Sequence, residues 1–215
     1  MAAIFLSALL AGCDDSKKNP LLGEFNTPHG TPPFGAIKLE HYMPAFEEGI
    51  RQARIEIDAI VDNTDAPTFE NTIEALERAG GSLNRTATIF FALNSSETSD
   101  EMDELANSIQ PMLTEYSNDI MLNEKLFARV KTVYEDYHND IASPDVFDAE
   151  QKMLLEKTYR DFVRSGAGLN DADKEKYRAI TTELSGLTLR FGQNVLAATN
   201  DFTLNIPESD SAKVE

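Results

Sequence analysis

From Tyr42 to Ala198 the apolar residues recur every three or four positions, and polar clusters interrupt them at intervals. That period predicts helices with one buried face each. Phe46, Ile50, Ile57, Ile60 and Val61 make the first run, with Pro44 in its opening turn, where a missing N–H costs nothing. Asn63-Thr64-Asp65-Ala66-Pro67 breaks it. Thr68 is a suitable N-cap for a second helix with Asn71 in its first turn; Phe69, Ile73 and Leu76 share a face, and Gly80-Gly81 is the stop. A third helix runs through Leu83, Ile89, Phe90 and Leu93 to Asn94-Ser95-Ser96. Thr98 and Glu101 have capping-box spacing and open a fourth, buried through Leu105, Ile109, Met112, Leu113 and Tyr116. Pro111 is expected to kink it.

Asn123 caps a fifth helix, with Leu126, Phe127, Val130, Val133, Tyr134 and Tyr137 as its stripe, and Ser143-Pro144 breaks the chain. Asp148 caps a sixth, running to about Ser165 with Leu155, Tyr159 and Phe162 inward; Gly166 stands where a left-handed C-cap residue belongs. Asn170 opens the longest, to about Ala198. Its Tyr177, Ile180, Leu184, Leu187 and Phe191 step by three, four, three and four, which is the seam of a coiled coil. Phe162 and Phe191 are assigned to the core. Gly186 and Gly192 each cost ~1 kcal/mol inside a helix, so another backbone is expected close by. Residues 202–206 alternate as a short strand would. The fold class is all-α: six to eight mostly antiparallel helices in one domain, with a short terminal strand.

Ahead of the helices, residues 20–34 hold four of the nine prolines and form an extended lead-in. Residues 2–12 are apolar or small, too short to span a bilayer but of the size of a signal-peptide core. They end at the single cysteine, in Leu10-Ala11-Gly12-Cys13, with Asp14 and Asp15 directly behind. This resembles a bacterial lipobox, in which the Cys becomes lipid-modified. No Lys or Arg precedes Cys13, so a basic leader is missing. The boundaries that follow are residues 1–13 as a lipoprotein signal-like segment, 14–40 as linker and lead-in, 41–201 as the helical domain and 202–215 as the start of a further segment. Cys13 is the expected lipidation site and membrane anchor, and the location is extracytoplasmic, periplasm or cell surface.

Charge removes several function classes. The net charge of −18 argues against nucleic acid, whose phosphates require Lys and Arg, and against docking on anionic lipid. The three histidines, His29, His41 and His138, are too far apart for H-E-x-x-H, and one cysteine forms no thiolate metal set. Neither a glycine-rich phosphate loop nor G-x-S-x-G occurs. His41 beside Glu40 is expected to serve a helix start, and His138 a helix end, where a cation suits the dipole. Acids such as Asp100, Glu101, Asp103 and Glu104 are expected on a solvated face.

Four segments are more specific. Thr31-Pro32-Pro33-Phe34-Gly35-Ala36-Ile37 with His41-Tyr42-Met43-Pro44-Ala45-Phe46 resembles the start of the thimet-oligopeptidase and peptidyl-dipeptidase family of zinc metallopeptidases, nearest its bacterial peptidyl-dipeptidase branch. Pro67-Thr68-Phe69-Glu70-Asn71-Thr72-Ile73-Glu74-Ala75-Leu76-Glu77 resembles the same family. So do Tyr159-Arg160-Asp161-Phe162-Val163-Arg164-Ser165-Gly166-Ala167-Gly168-Leu169 and Phe191-Gly192-Gln193-Asn194-Val195-Leu196. The resemblance implies that this is an N-terminal segment, a helical wall facing the catalytic half across a channel that admits short peptides. It implies that zinc and its ligands lie downstream, with no catalytic or metal residue in this chain, and that the segment alone is inactive. Arg160 and Arg164 are weak channel-lining candidates; balancing neighbouring acids is the competing role. The resemblance also implies apolar surface meant for the missing half. The alternatives are a stand-alone helical surface lipoprotein acting as a binding module, and a small hydrolase using a carboxylate pair.

Fatty-acid labelling of the precursor in a bacterial host checks the anchor. Label is expected on the chain and lost in Cys13→Ala; label that persists in that variant contradicts it.

Overall fold

The computed structural model describes residues 19–139, 147–205 and 207. Cys13, Ser143-Pro144, Ile206 and residues 208–215 lie outside them. The helices are α1 (Tyr42–Val61), α2 (Ala75–Arg78, entered through a π-helical turn at Phe69–Glu74), α3 (Gly81–Ser96), α4 (Asp100–Met121), α5 (Glu124–His138), α6 (Ala149–Arg164) and α7 (Asp171–Asp201). Among the described residues there is no strand, and the fold is all-α. Where the sequence suggests one helical domain, contacts form two compact units. One comprises the described residues to Thr64 with Glu74–Glu97; the other comprises Asp65–Ile73 with those from Thr98 onward.

In the first unit α1 and α3 pack antiparallel. Phe46 and Phe90 are fully buried and meet edge to face at 5.6 Å, and Tyr42 meets Phe90 at 5.0 Å. The helices come close because Gly49 has no side chain: a Cβ there would stand 3.1 Å from the Leu83 Cα. Gly80 turns the chain between α2 and α3 with φ 76°, and its N–H donates to Glu56 Oε2 at 2.7 Å. The lead-in is fastened by Arg85, whose guanidinium donates to the Leu21 and Gly23 carbonyls at 3.1 and 3.0 Å and covers the Phe25 ring.

In the second unit α5 and α6 run antiparallel through stacked rings. Tyr134 lies on Tyr159 at 3.8 Å, and Phe127 contacts both Tyr159 and Phe162. The expected caps are in place. Asn123, Asp148 and Asn170 accept from N–H groups of the first turns of α5, α6 and α7. Gly166 ends α6 at φ 83° with the paired bonds of a Schellman motif, Ala167 N–H to Phe162 and Gly166 N–H to Val163. The cap of α4 lies one residue beyond the expected Thr98. Ser99 is extended and accepts from Met102 N–H at 3.3 Å, while Thr98 donates to Asp103 Oδ1 at 2.9 Å. The helix continues through Pro111.

A buried arginine organises the segment before α2. Thr68 and Asn71 exchange bonds as a reciprocal cap, and the Asn71 Oδ1 accepts from Thr68 N–H, Thr72 Oγ1 and Arg129 Nη2. Arg129 also donates to the Asp65 carbonyl, and Asn71 Nδ2 to that of Ala66. One amide thus closes the Pro67 break and neutralises the need of a buried guanidinium for an acceptor.

Three expectations for the C-terminal stretch are corrected. Residues 202–205 are unpaired, since alternation alone supplies no partner for the ladder. Apart from their own helix turn, Gly186 and Gly192 have no atom of the described residues within 4 Å of where a Cβ would stand, so no other described backbone approaches them. The seam of α7 is not its packing face. α7 lies antiparallel on α4, with Arg178 bound to Asp119 (2.8 Å), Thr181 to Asn118 (2.9 Å) and Gln193 to the Asp103 carbonyl, while Lys174 reaches Glu124 at the start of α5 (2.5 Å). Ile180, Leu184, Leu187, Phe191 and Val195 are 48–70% exposed. Phe191 is therefore surface, whereas Phe162 is core.

Removing the Asn71 acceptor strands three donors, one of them on a buried cation. Asn71→Ala is expected to destabilise by ~2–3 kcal/mol in urea unfolding. Asn71→Asp, which keeps the oxygen, should lose less. Equal, negligible losses would contradict the hub.

Candidate functional site

The groups able to do chemistry are mostly occupied by local structure. His41 Nδ1 accepts from Lys38 N–H at 3.0 Å and closes the short turn ahead of α1, while its carbonyl accepts from Asn19 Nδ2. His138, at the end of α5, pairs with Glu156 at 2.8 Å and rests on Tyr134. His29 is exposed on the lead-in with φ 60°. Asp100, Glu101 and Asp103 occupy the first turn of α4, where carboxylates complement the helix dipole. The Glu101 carboxyl is held below its usual range by its own backbone N–H and the Ser99 hydroxyl. Among the described residues no group of three His, Cys, Asp or Glu side chains is placed to hold a metal ion. The histidines present, each committed or isolated, do not fit a zinc site.

The first unit contains a cavity of about 520 Å³ between lead-in, α1 and α3, lined by Leu21, Leu22, Ala45, Glu48, Gln52, Ser82 and Thr86. Glu48 is its ionisable group. Arg51 donates to both carboxylate oxygens at 2.7 Å and Gln52 adds a third bond at 2.8 Å. Chiefly the Arg51 hydrogen bonds, then that from Gln52, lower its pKa to about 2. A carboxyl so held is an anion at neutral pH. Thr86 is spent on the Ser82 carbonyl one turn back.

Arg160 and Arg164 are exposed and four residues apart on α6, so they share a face of that helix. Arg160 lies 3.8 Å from Asp161. The cavity is lined by neither. Cys13 lies outside the described residues. No helix among them is long and apolar enough to cross a membrane.

An exposed apolar stripe runs along α7. Between Tyr177 and Asn200 the charged residues are Arg178, Glu183 and Arg190, and Arg178 is turned to α4. The five-residue apolar stripe stands about 130° around the helix from the hydrogen-bonded face, at ~100° per residue. The seam spacing identifies the residues of this stripe; which side α4 takes is decided by the polar partners on α4, and single-helix periodicity carries no record of them. The Asn71–Arg129 hub leaves a clearer sign: Arg129 interrupts the apolar stripe between Leu126 and Val133.

Comparison with known proteins completes the picture. No family model matches the chain. It is 41% identical over 180 residues to dipeptidyl carboxypeptidase of Salmonella typhimurium, a match covering 84% of this chain and 26% of that protein. Dipeptidyl carboxypeptidase of Escherichia coli matches to the same extent. Oligopeptidase A of Haemophilus influenzae is 34% identical over 184 residues, 86% of this chain and 26% of its own length. By sequence the chain belongs to the thimet-oligopeptidase family, that of dipeptidyl carboxypeptidase and oligopeptidase A, and it spans about a quarter of the length of those relatives.

Proposed function

We propose that this chain is the N-terminal, helical wall of an extracytoplasmic zinc peptidase that cleaves short peptides, of the peptidyl-dipeptidase or oligopeptidase type. The observation that carries the proposal is the 41% identity to dipeptidyl carboxypeptidase over 84% of the chain. The residues described here do not fit a zinc site, so the metal and the groups that act with it belong to the remaining three quarters of such a protein. This part contributes shape. Caps, the Asn71–Arg129 hub and the ring stacks hold its helices in fixed positions, and a rigid wall excludes folded chains by sterics. Cys13, as a lipid-bearing residue, would hold the enzyme at a membrane outside the cytoplasm. Residues 14–40 would then be its tether and lead-in, with Arg85 fastening the end of that segment to the helices.

Two preparations test this: the 215-residue chain, and the full product of its gene. The chain alone is expected to cleave no peptide and to hold no stoichiometric zinc. The full product is expected to cleave short unfolded peptides, to spare folded proteins and to lose activity with a chelator. Chelator-insensitive cleavage by the 215 residues contradicts the proposal and revives the carboxylate-pair hydrolase. A reading frame that closes at Glu215 contradicts it in favour of a stand-alone binding lipoprotein.

A further inference from the structure

The apolar stripe of α7 has a shape that specifies its occupant. Ile180, Leu184, Leu187, Phe191 and Val195 advance by four, three, four and four residues, following one side of the helix for about 22 Å. All are 48–70% exposed. A straight, narrow row of this kind is filled by the side chains of a second helix lying along it. α4 does not take that place, because it lies on the side of α7 that carries Arg178, Thr181 and Gln193, where Leu189 and Leu196 are also partly covered. Little charge borders the row: Glu183 and Arg190 are the ionisable residues from Ala179 to Asn200. A surface kept for water carries more.

We infer that the stripe is the docking face for an amphipathic helix from the remaining length of the same, longer polypeptide. Two observations select this occupant over a second copy. Each copy carries a net charge of −18, so two would approach against strong mutual repulsion. About three quarters of the relatives' length lies outside the matched region, which leaves ample polypeptide to supply the helix. A helix on the same chain docks at an effective concentration of order millimolar. The inference rests on the proposed function in one respect, that this chain is part of a longer peptidase. It adds which residues hold the parts together.

Thiol reactivity tests it. In a Cys13→Ser background, Leu187→Cys is compared in the 215-residue chain and in the full gene product, with Ile180→Cys as a second variant at the other end of the row. In the short chain both thiols are expected to react with a soluble disulfide reagent at nearly the unfolded rate. In the full product the rate should fall on the order of 100-fold. Equal reactivity in the two overturns the inference. So does protection in the short chain that rises with concentration alongside a dimeric mass, which assigns the face to a second copy. A reading frame closing at Glu215 removes the occupant and overturns it too. Peptide cleavage measured on the same full product separates the two claims. Cleavage with a reactive stripe removes the docking face and leaves the peptidase standing, and protection without cleavage does the reverse.

Discussion

The arrangement depends on how α7 is held. A 31-residue helix meets α4 on the side that carries Arg178, Thr181, Leu189, Gln193 and Leu196, with one ion pair and hydrogen bonds from Thr181 and Gln193. At the start of α7, Lys174 is buried, and its ammonium holds the carboxyl of Glu124, the first residue of α5, below its usual range. Polar contacts of this kind set register and orientation more than they add stability. They leave the stripe from Ile180 to Val195 outward. An isolated domain gains most by burying its most apolar face, so a helix mounted the other way round is one whose apolar contacts are reserved for something else.

Each unit is built on a close antiparallel pair: α1 with α3, brought together at Gly49, and α5 with α6, joined by stacked aromatic rings. The breaks between helices are closed by specific residues. Asn71 serves the Pro67 break, and Gly166 turns the chain after α6.

Much of this was legible in the sequence because it is local. Helix periodicity placed the helices, and Asn123, Asp148, Asn170 and Gly166 acted as read, since a cap depends on residues within one turn. Thr98 was misplaced by one position because Thr98 and Ser99 are both able caps, and the choice depends on where Asp103 sends its carboxylate. What could not be read was tertiary. The seam of α7 identified its apolar residues correctly and its packing side incorrectly. The cavity beside Glu48 joins residues far apart in sequence, and the division into two units follows from contacts that no helical period encodes. Zinc chemistry is an implication of the resemblance alone, since among the described residues no group of three His, Cys, Asp or Glu side chains is placed to hold a metal ion.

The orientation of α7 is tested most directly by replacing Leu184, Leu187 and Phe191 together with Gln in the 215-residue chain and measuring urea unfolding. Gln keeps helix propensity, so the account predicts a stability within about 0.5 kcal/mol of the parent. A loss of several kcal/mol, as buried side chains give, would mean that the stripe already has its partner within these residues, and would contradict the account.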